Sequence, residues 1–128
     1  MQFSILLSVA AGGALGALGR FATTSAIGHL MGPGFPYGTI TVNVLGSFVM
    51  GVLAEAAALV WSPTPEVRAL LMVGFLGAFT TFSTFSLDVY VLAQRGELAL
   101  AWLYVLLSVT FSVGALFLGL HAARAVLS

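Results

Sequence analysis

The chain has 128 residues, of which 60% are hydrophobic and 6% charged, and its four basic and four acidic residues cancel to a formal net charge of zero. Its mean hydropathy is +1.13, whereas a soluble domain of this size needs far more charge to cover its surface. The basic residues are all arginine and form no cluster, which excludes an ordinary nucleic-acid-binding protein, and the absence of cysteine excludes disulfides and thiolate metal sites.

The chain therefore reads as an all-α integral membrane protein, a single four-helix transmembrane domain over residues 1–128. A span needs about 20 mainly apolar residues. The first covers residues 3–30 and holds Arg20. No Lys or Arg precedes Arg20, so the N-terminus does not read as a signal peptide. Gly32-Pro33-Gly34-Phe35-Pro36 then breaks any helix. The second span covers residues 38–61. Ser62-Pro63-Thr64-Pro65-Glu66 is a turn that leads into a helix start. The third span covers residues 67–93, Gln94-Arg95-Gly96-Glu97 forms a short turn, and the fourth covers residues 98–123, with Arg124 just beyond.

Four spans put both termini on one side, with Arg68 and Arg124. Arg95 lies on the other side, as does Arg20 if it snorkels to its nearer end. The Lys/Arg imbalance that normally sets orientation is then two against two. Either a weaker cue fixes one topology, or copies insert both ways and pair antiparallel, the two-chain counterpart of an inverted repeat. Four helices leave little room for a polar lumen, so a pathway would need a second subunit. Small residues at Gly12, Gly13, Gly16, Gly19, Gly46 and Gly51 allow close helix approach, within or between chains.

The third span carries Gly74-Phe75-Leu76-Gly77-Ala78-Phe79-Thr80-Thr81-Phe82-Ser83-Thr84-Phe85-Ser86. Glycines and hydroxyls at that depth predict weakened helix, which must be buried in protein or line a cavity. Phe82 and Phe85 share a face, as do Ser83 and Ser86. They are packing residues or pore residues. In the second case their positive ring edges attract an anion without gripping it, as conduction requires. Breaks at Gly74 and Gly77, with Thr80 and Thr81 following, suggest unwound backbone whose freed carbonyls suit a hard cation such as sodium, and a kink satisfied by threonine hydroxyls is the other reading.

Asn43 in the second span is either interhelical glue or a donor to a passing anion. Tyr104, Ser108 and Ser112, four apart, form one polar stripe on the fourth span. Arg20, costly inside a membrane, either draws anions into a vestibule or pairs with Glu55 or Asp88. His29 and His121 read as interfacial. No nucleotide-binding loop, zinc-protease motif or nucleophile elbow is present, which disfavours an enzyme.

Gly12-Gly13-Ala14-Leu15-Gly16-Ala17-Leu18-Gly19-Arg20-Phe21, Gly38-Thr39-Ile40-Thr41-Val42-Asn43-Val44-Leu45-Gly46-Ser47-Phe48 and the third-span motif closely resemble the Fluc (CrcB) family of bacterial fluoride channels. The resemblance covers the whole chain. It implies an antiparallel, dual-topology homodimer in the bacterial inner membrane, with passive, electrogenic and selective export of fluoride. It implies fluoride pathways formed by Asn43, Phe82, Phe85, Ser83, Tyr104, Ser108 and Ser112, with Arg20 near a vestibule. It also implies that the Gly77 and Thr80 carbonyls hold a structural, untransported sodium between the two copies. The alternative is a small dual-topology multidrug exporter, which typically depends on a carboxylate in its first helix. The first span here has Arg20 and no acid.

Overall fold

The computed structural model describes residues 2–128, and these are helical apart from short connections. Helix α1 (Phe3–Met31) ends where Gly32 takes a positive φ of 81° and returns its N–H to the Gly28 carbonyl, a conformation that glycine adopts without steric cost. Pro33 and Pro36 follow, and α2 (Tyr37–Leu59) starts directly after Pro36. The next helix begins inside the segment read from sequence as a turn leading into a helix start. The Thr64 hydroxyl accepts the Val67 N–H at 3.2 Å, and Pro65 fills the first helical position, where no N–H is needed.

The third span, Pro65–Gln94, is not one regular helix. It opens as α3 (Pro65–Arg68), widens into a π-helical segment (Ala69–Phe75) and tightens into α4 (Leu76–Phe79). It then resumes as α5 (Ser83–Gln94) after extended backbone at Thr80 (φ −87°, ψ 158°). Gly96, at φ 78°, turns the chain into α6 (Leu98–Leu127). The four spans are 23 to 30 residues long. At ~1.5 Å per residue each exceeds the ~30 Å hydrocarbon core.

Several boundaries differ from the sequence reading, the third span starting at Pro65 rather than at Val67. The second span stops at Leu59 rather than at Trp61. The fourth continues through Arg124 to Leu127, because the Arg124 guanidinium is paired with Glu55 of α2 at 3.3 Å and the charge does not end the helix. The π-helical segment has no counterpart in the sequence reading.

Two seams hold the helices together. Along the first, α1 lies backbone to backbone on the π-helical segment. A Cβ at Gly12 would collide with the Leu70 carbonyl oxygen, and one at Gly16 with the Phe75 carbonyl oxygen. Along the second, α2 packs on α6, the most extensive helix contact in the chain. There Gly51 meets the Leu116 carbonyl and Gly119 meets the Phe48 carbonyl. Small residues at such contacts are the usual means of close packing in lipid. Between the seams, Phe85, Leu92, Ala101 and Tyr104 form a buried cluster. Large apolar side chains such as Phe3, Leu18, Trp102 and Leu118 point outward, as lipid-facing positions require.

Candidate functional site: a groove beside the third span

Helix α4 stops at Phe79 and α5 starts at Ser83. The Thr80 N–H and hydroxyl both donate to the Leu76 carbonyl, at 3.1 and 2.9 Å. The Thr81 N–H would close a helical turn on Gly77. Instead it donates to Asn43 Oδ1 at 2.8 Å, while Asn43 Nδ2 donates to the Thr81 carbonyl at 3.0 Å. Likewise the Thr84 N–H, the helical donor for Thr80, goes to the Thr81 hydroxyl at 3.1 Å. The Ala78 carbonyl receives Arg20 Nε at 2.9 Å. Side chains of α1 and α2 thus satisfy backbone that the helix abandons, which is the condition for irregular backbone at membrane depth. The Gly77 and Thr80 carbonyls each lose their ordinary helical donor.

The interruption borders an open groove of about 400 Å³ between α2, α5 and α6. Asn43 and Ser47 line it from α2, Thr80, Thr81, Phe82 and Phe85 from the third span, and Ser108 and Ser112 from α6. Phe82 is 77% exposed within the single chain, whereas Phe85 is 8% exposed. Their ring centroids are 5.4 Å apart with the planes at 50°. The Ser108 and Ser112 hydroxyls are buried and have no partner among the described residues.

The structure therefore brings five of the eight fluoride-pathway candidates together: Asn43, Phe82, Phe85, Ser108 and Ser112. Ser83 stands beside them, its hydroxyl 3.4 Å from that of Thr81. Tyr104 lies behind Phe85, with ring centroids 5.2 Å apart, and is fully buried. Arg20 lies elsewhere, across α4, and pairs with neither acid. Glu55 takes Arg124, and Asp88 Oδ2 accepts the Thr39 and Tyr104 hydroxyls at 2.7 and 2.9 Å. Asn43 clamps Thr81 across helices, as its reading as interhelical glue expects, and it also lines the groove.

Sequence reasoning missed the Thr39–Asp88–Tyr104 hub, whose members sit on three spans and share no local spacing. It also passed over Ser47, which the four-residue step from Asn43 could have revealed. No group of three or more His, Cys, Asp or Glu side chains able to hold a metal occurs among the described residues. Any cation here would have to rest on backbone, hydroxyl or amide oxygens. Among the described residues no formally charged side chain lines the groove, whose polar groups are hydroxyls and an amide, donors able to hold a small anion weakly.

Four helices of membrane-spanning length around such a groove define a small multi-pass membrane protein. The family model described as CrcB-like protein, Camphor Resistance (CrcB), matches residues 7–120. The chain belongs to the CrcB family. It is 56% identical over 120 residues to the fluoride-specific ion channel FluC of Rhodospirillum centenum (strain ATCC 51521 / SW), covering 94% of this chain and 95% of that one. It is 53% identical over 122 residues to a fluoride-specific ion channel FluC of Chelativorans sp. (strain BNC1), covering 95% and 98%. It is 45% identical over 124 residues to fluoride-specific ion channel FluC 1 of Nitrobacter hamburgensis, covering 97% and 98%.

Proposed function

We propose that this protein is a fluoride-selective ion channel, not an enzyme. In this reading it gives passive, electrogenic export of fluoride from the cytoplasm across the bacterial inner membrane, and so fluoride resistance. The observation that carries the proposal is the groove itself. Two phenylalanines, an asparagine and two unpartnered serine hydroxyls converge there beside an interrupted helix. The printed names of the relatives supply the ion. A dehydrated small anion needs several donors to replace its water, and conduction needs none of them to hold it tightly. Hydroxyls and ring edges without a lysine meet both demands.

The working unit in this proposal is an antiparallel, dual-topology homodimer. The balanced arginines support it, and so does Phe82, whose exposed ring would be covered by a second copy. The Gly77 and Thr80 carbonyls, stripped of their helical donors, fit a sodium ion shared between the two copies. When bound, the ion would supply a fixed positive charge that ties the subunits together, and it would not be transported.

Fluoride efflux from liposomes carrying the purified protein tests the channel, with a fluoride electrode as readout and a potassium ionophore to carry the counter-charge. Rapid fluoride efflux without chloride efflux is expected. No fluoride efflux in the presence of sodium would reject the reading. Lysines added at the N-terminus test the assembly. They should fix one orientation and lower cellular fluoride resistance until an oppositely biased copy is co-expressed. Full resistance from the biased copy alone would rule out antiparallel pairing.

A further inference from the structure

Hydroxyls on membrane helices commonly donate to the carbonyl four residues back. Ser8, Thr24, Thr41, Thr80 and Ser86 all do so here. In the groove, Thr80 is committed in this way and the Thr81 hydroxyl accepts the Thr84 N–H. The remaining groove hydroxyls are Ser108 and Ser112, which have no partner among the described residues, and Ser47, which lines the same space from α2.

Ser47 follows Asn43 by four residues, and Ser112 follows Ser108 by four, so each pair shares one face of its helix. Helices α2 and α6 are separated by one full span and therefore cross in the same direction. Their register is held by Gly51 against Leu116 and Leu120, by Gly119 against Phe48 and Val52, and by Glu55 with Arg124. Beyond Ser47, the next residue on its face, Gly51, closes directly onto α6 backbone. Ser47 thus stands at the end of the groove, one helical turn before the seam shuts.

We propose that Ser47 is a fluoride-coordinating residue. Together with Ser112 it forms a station at the closed end of the groove, apart from the ring edges of Phe82 and Phe85. The inference rests on the fluoride-channel reading. A serine hydroxyl has one proton to give, and a bond from it to an anion is charge-assisted and stronger than one to a neutral acceptor. A groove without charged lining must discriminate by counting such donors, and Ser47 adds one from the helix opposite the Ser108–Ser112 stripe.

The test is fluoride efflux from liposomes by wild type, Ser47→Ala, Ser47→Thr, Ser112→Ala and the double alanine variant, each checked for unchanged elution by gel filtration. Ser47→Ala should slow efflux roughly tenfold or more, the loss expected for one hydrogen bond to a charged group. Ser47→Thr keeps the hydroxyl and should stay within about threefold of wild type on that logic. The double variant should be little slower than the slower single variant, because the two serines act as one station. Wild-type flux in Ser47→Ala would overturn the proposal, as would fully additive losses. Should the alanine variant aggregate, Ser47→Cys replaces it, a near-isosteric change to a weak donor, and normal flux there would also overturn the proposal. No efflux from wild type would instead overturn the channel reading beneath it.

Discussion

The two helix seams of this protein use similar residues to opposite ends. Between α1 and the π-helical segment, Gly12, Gly16 and Gly74 bring backbones into contact. Between α2 and α6, glycines close one end only, at Gly51 and Gly119. Toward the interruption that seam opens into a groove with unpartnered hydroxyls. One seam is therefore a scaffold and the other carries a site. Glycine composition alone does not separate them. The separation comes from the residues that accompany the glycines: apolar alanine and leucine along α1, polar asparagine and serine along α2 and α6.

The largest effect should come from breaking the scaffold. Gly12→Val places methyl groups against the Leu70 carbonyl and the Phe75 amide, backbone atoms that cannot turn aside. Overpacking of this kind costs about 3 kcal/mol or more, and little folded protein should survive gel filtration after extraction. Gly13→Val is the control. A Cβ there meets nothing within 4 Å, so its effect on protomer stability should stay near ~0.5 kcal/mol. Equal loss in both variants would mean that helix propensity, and not the seam, governs α1.

The next effect belongs to the site. Phe82→Ile and Phe85→Ile remove ring edges while keeping most of the bulk. Each should lower fluoride efflux by roughly tenfold or more, an order set by the loss of a charge-linked contact, while the protein elutes unchanged. The two differ in stability. Phe82 is largely exposed in the single chain and should tolerate the change. Phe85 packs on Tyr104 and should lose about 1 kcal/mol. Normal flux in both variants would remove the ring-edge mechanism and leave the hydroxyls as the only ion-binding groups.

Much of this contrast was legible in the sequence, for definite reasons. Span number and approximate limits follow from hydropathy and from Pro and Gly punctuation, and the helix start after Ser62 follows from residue type. The groove residues Ser108 and Ser112 follow from a four-residue step on one helix. What stayed hidden depends on pairs distant in the chain. Nothing local says that Asn43 takes both the N–H and the carbonyl of Thr81, or that Asp88 gathers Thr39 and Tyr104. Nor does any spacing foretell the π-helical segment, which lies where α1 meets the third span. Arg124 shows the same limit, since a charge that seemed to close the fourth span is carried by Glu55 across the seam.

Arg20 lies between the two regions, and its substitution should have the smallest effect. It rises from the scaffold helix and its Nε holds the Ala78 carbonyl, just before the interruption. The other two guanidinium nitrogens make no hydrogen bond among the described residues and keep their charge available to an approaching anion. Arg20→Gln preserves an N–H donor and removes the charge. A half-buried charge that acts by attraction raises local anion concentration, and salt screens that action. Fluoride efflux should therefore fall only about threefold at low ionic strength, and by less as inert salt is added. A loss that does not change with salt would make Arg20 a backbone clamp alone, and the scaffold would then end at Ala78 without contributing to the ion's path.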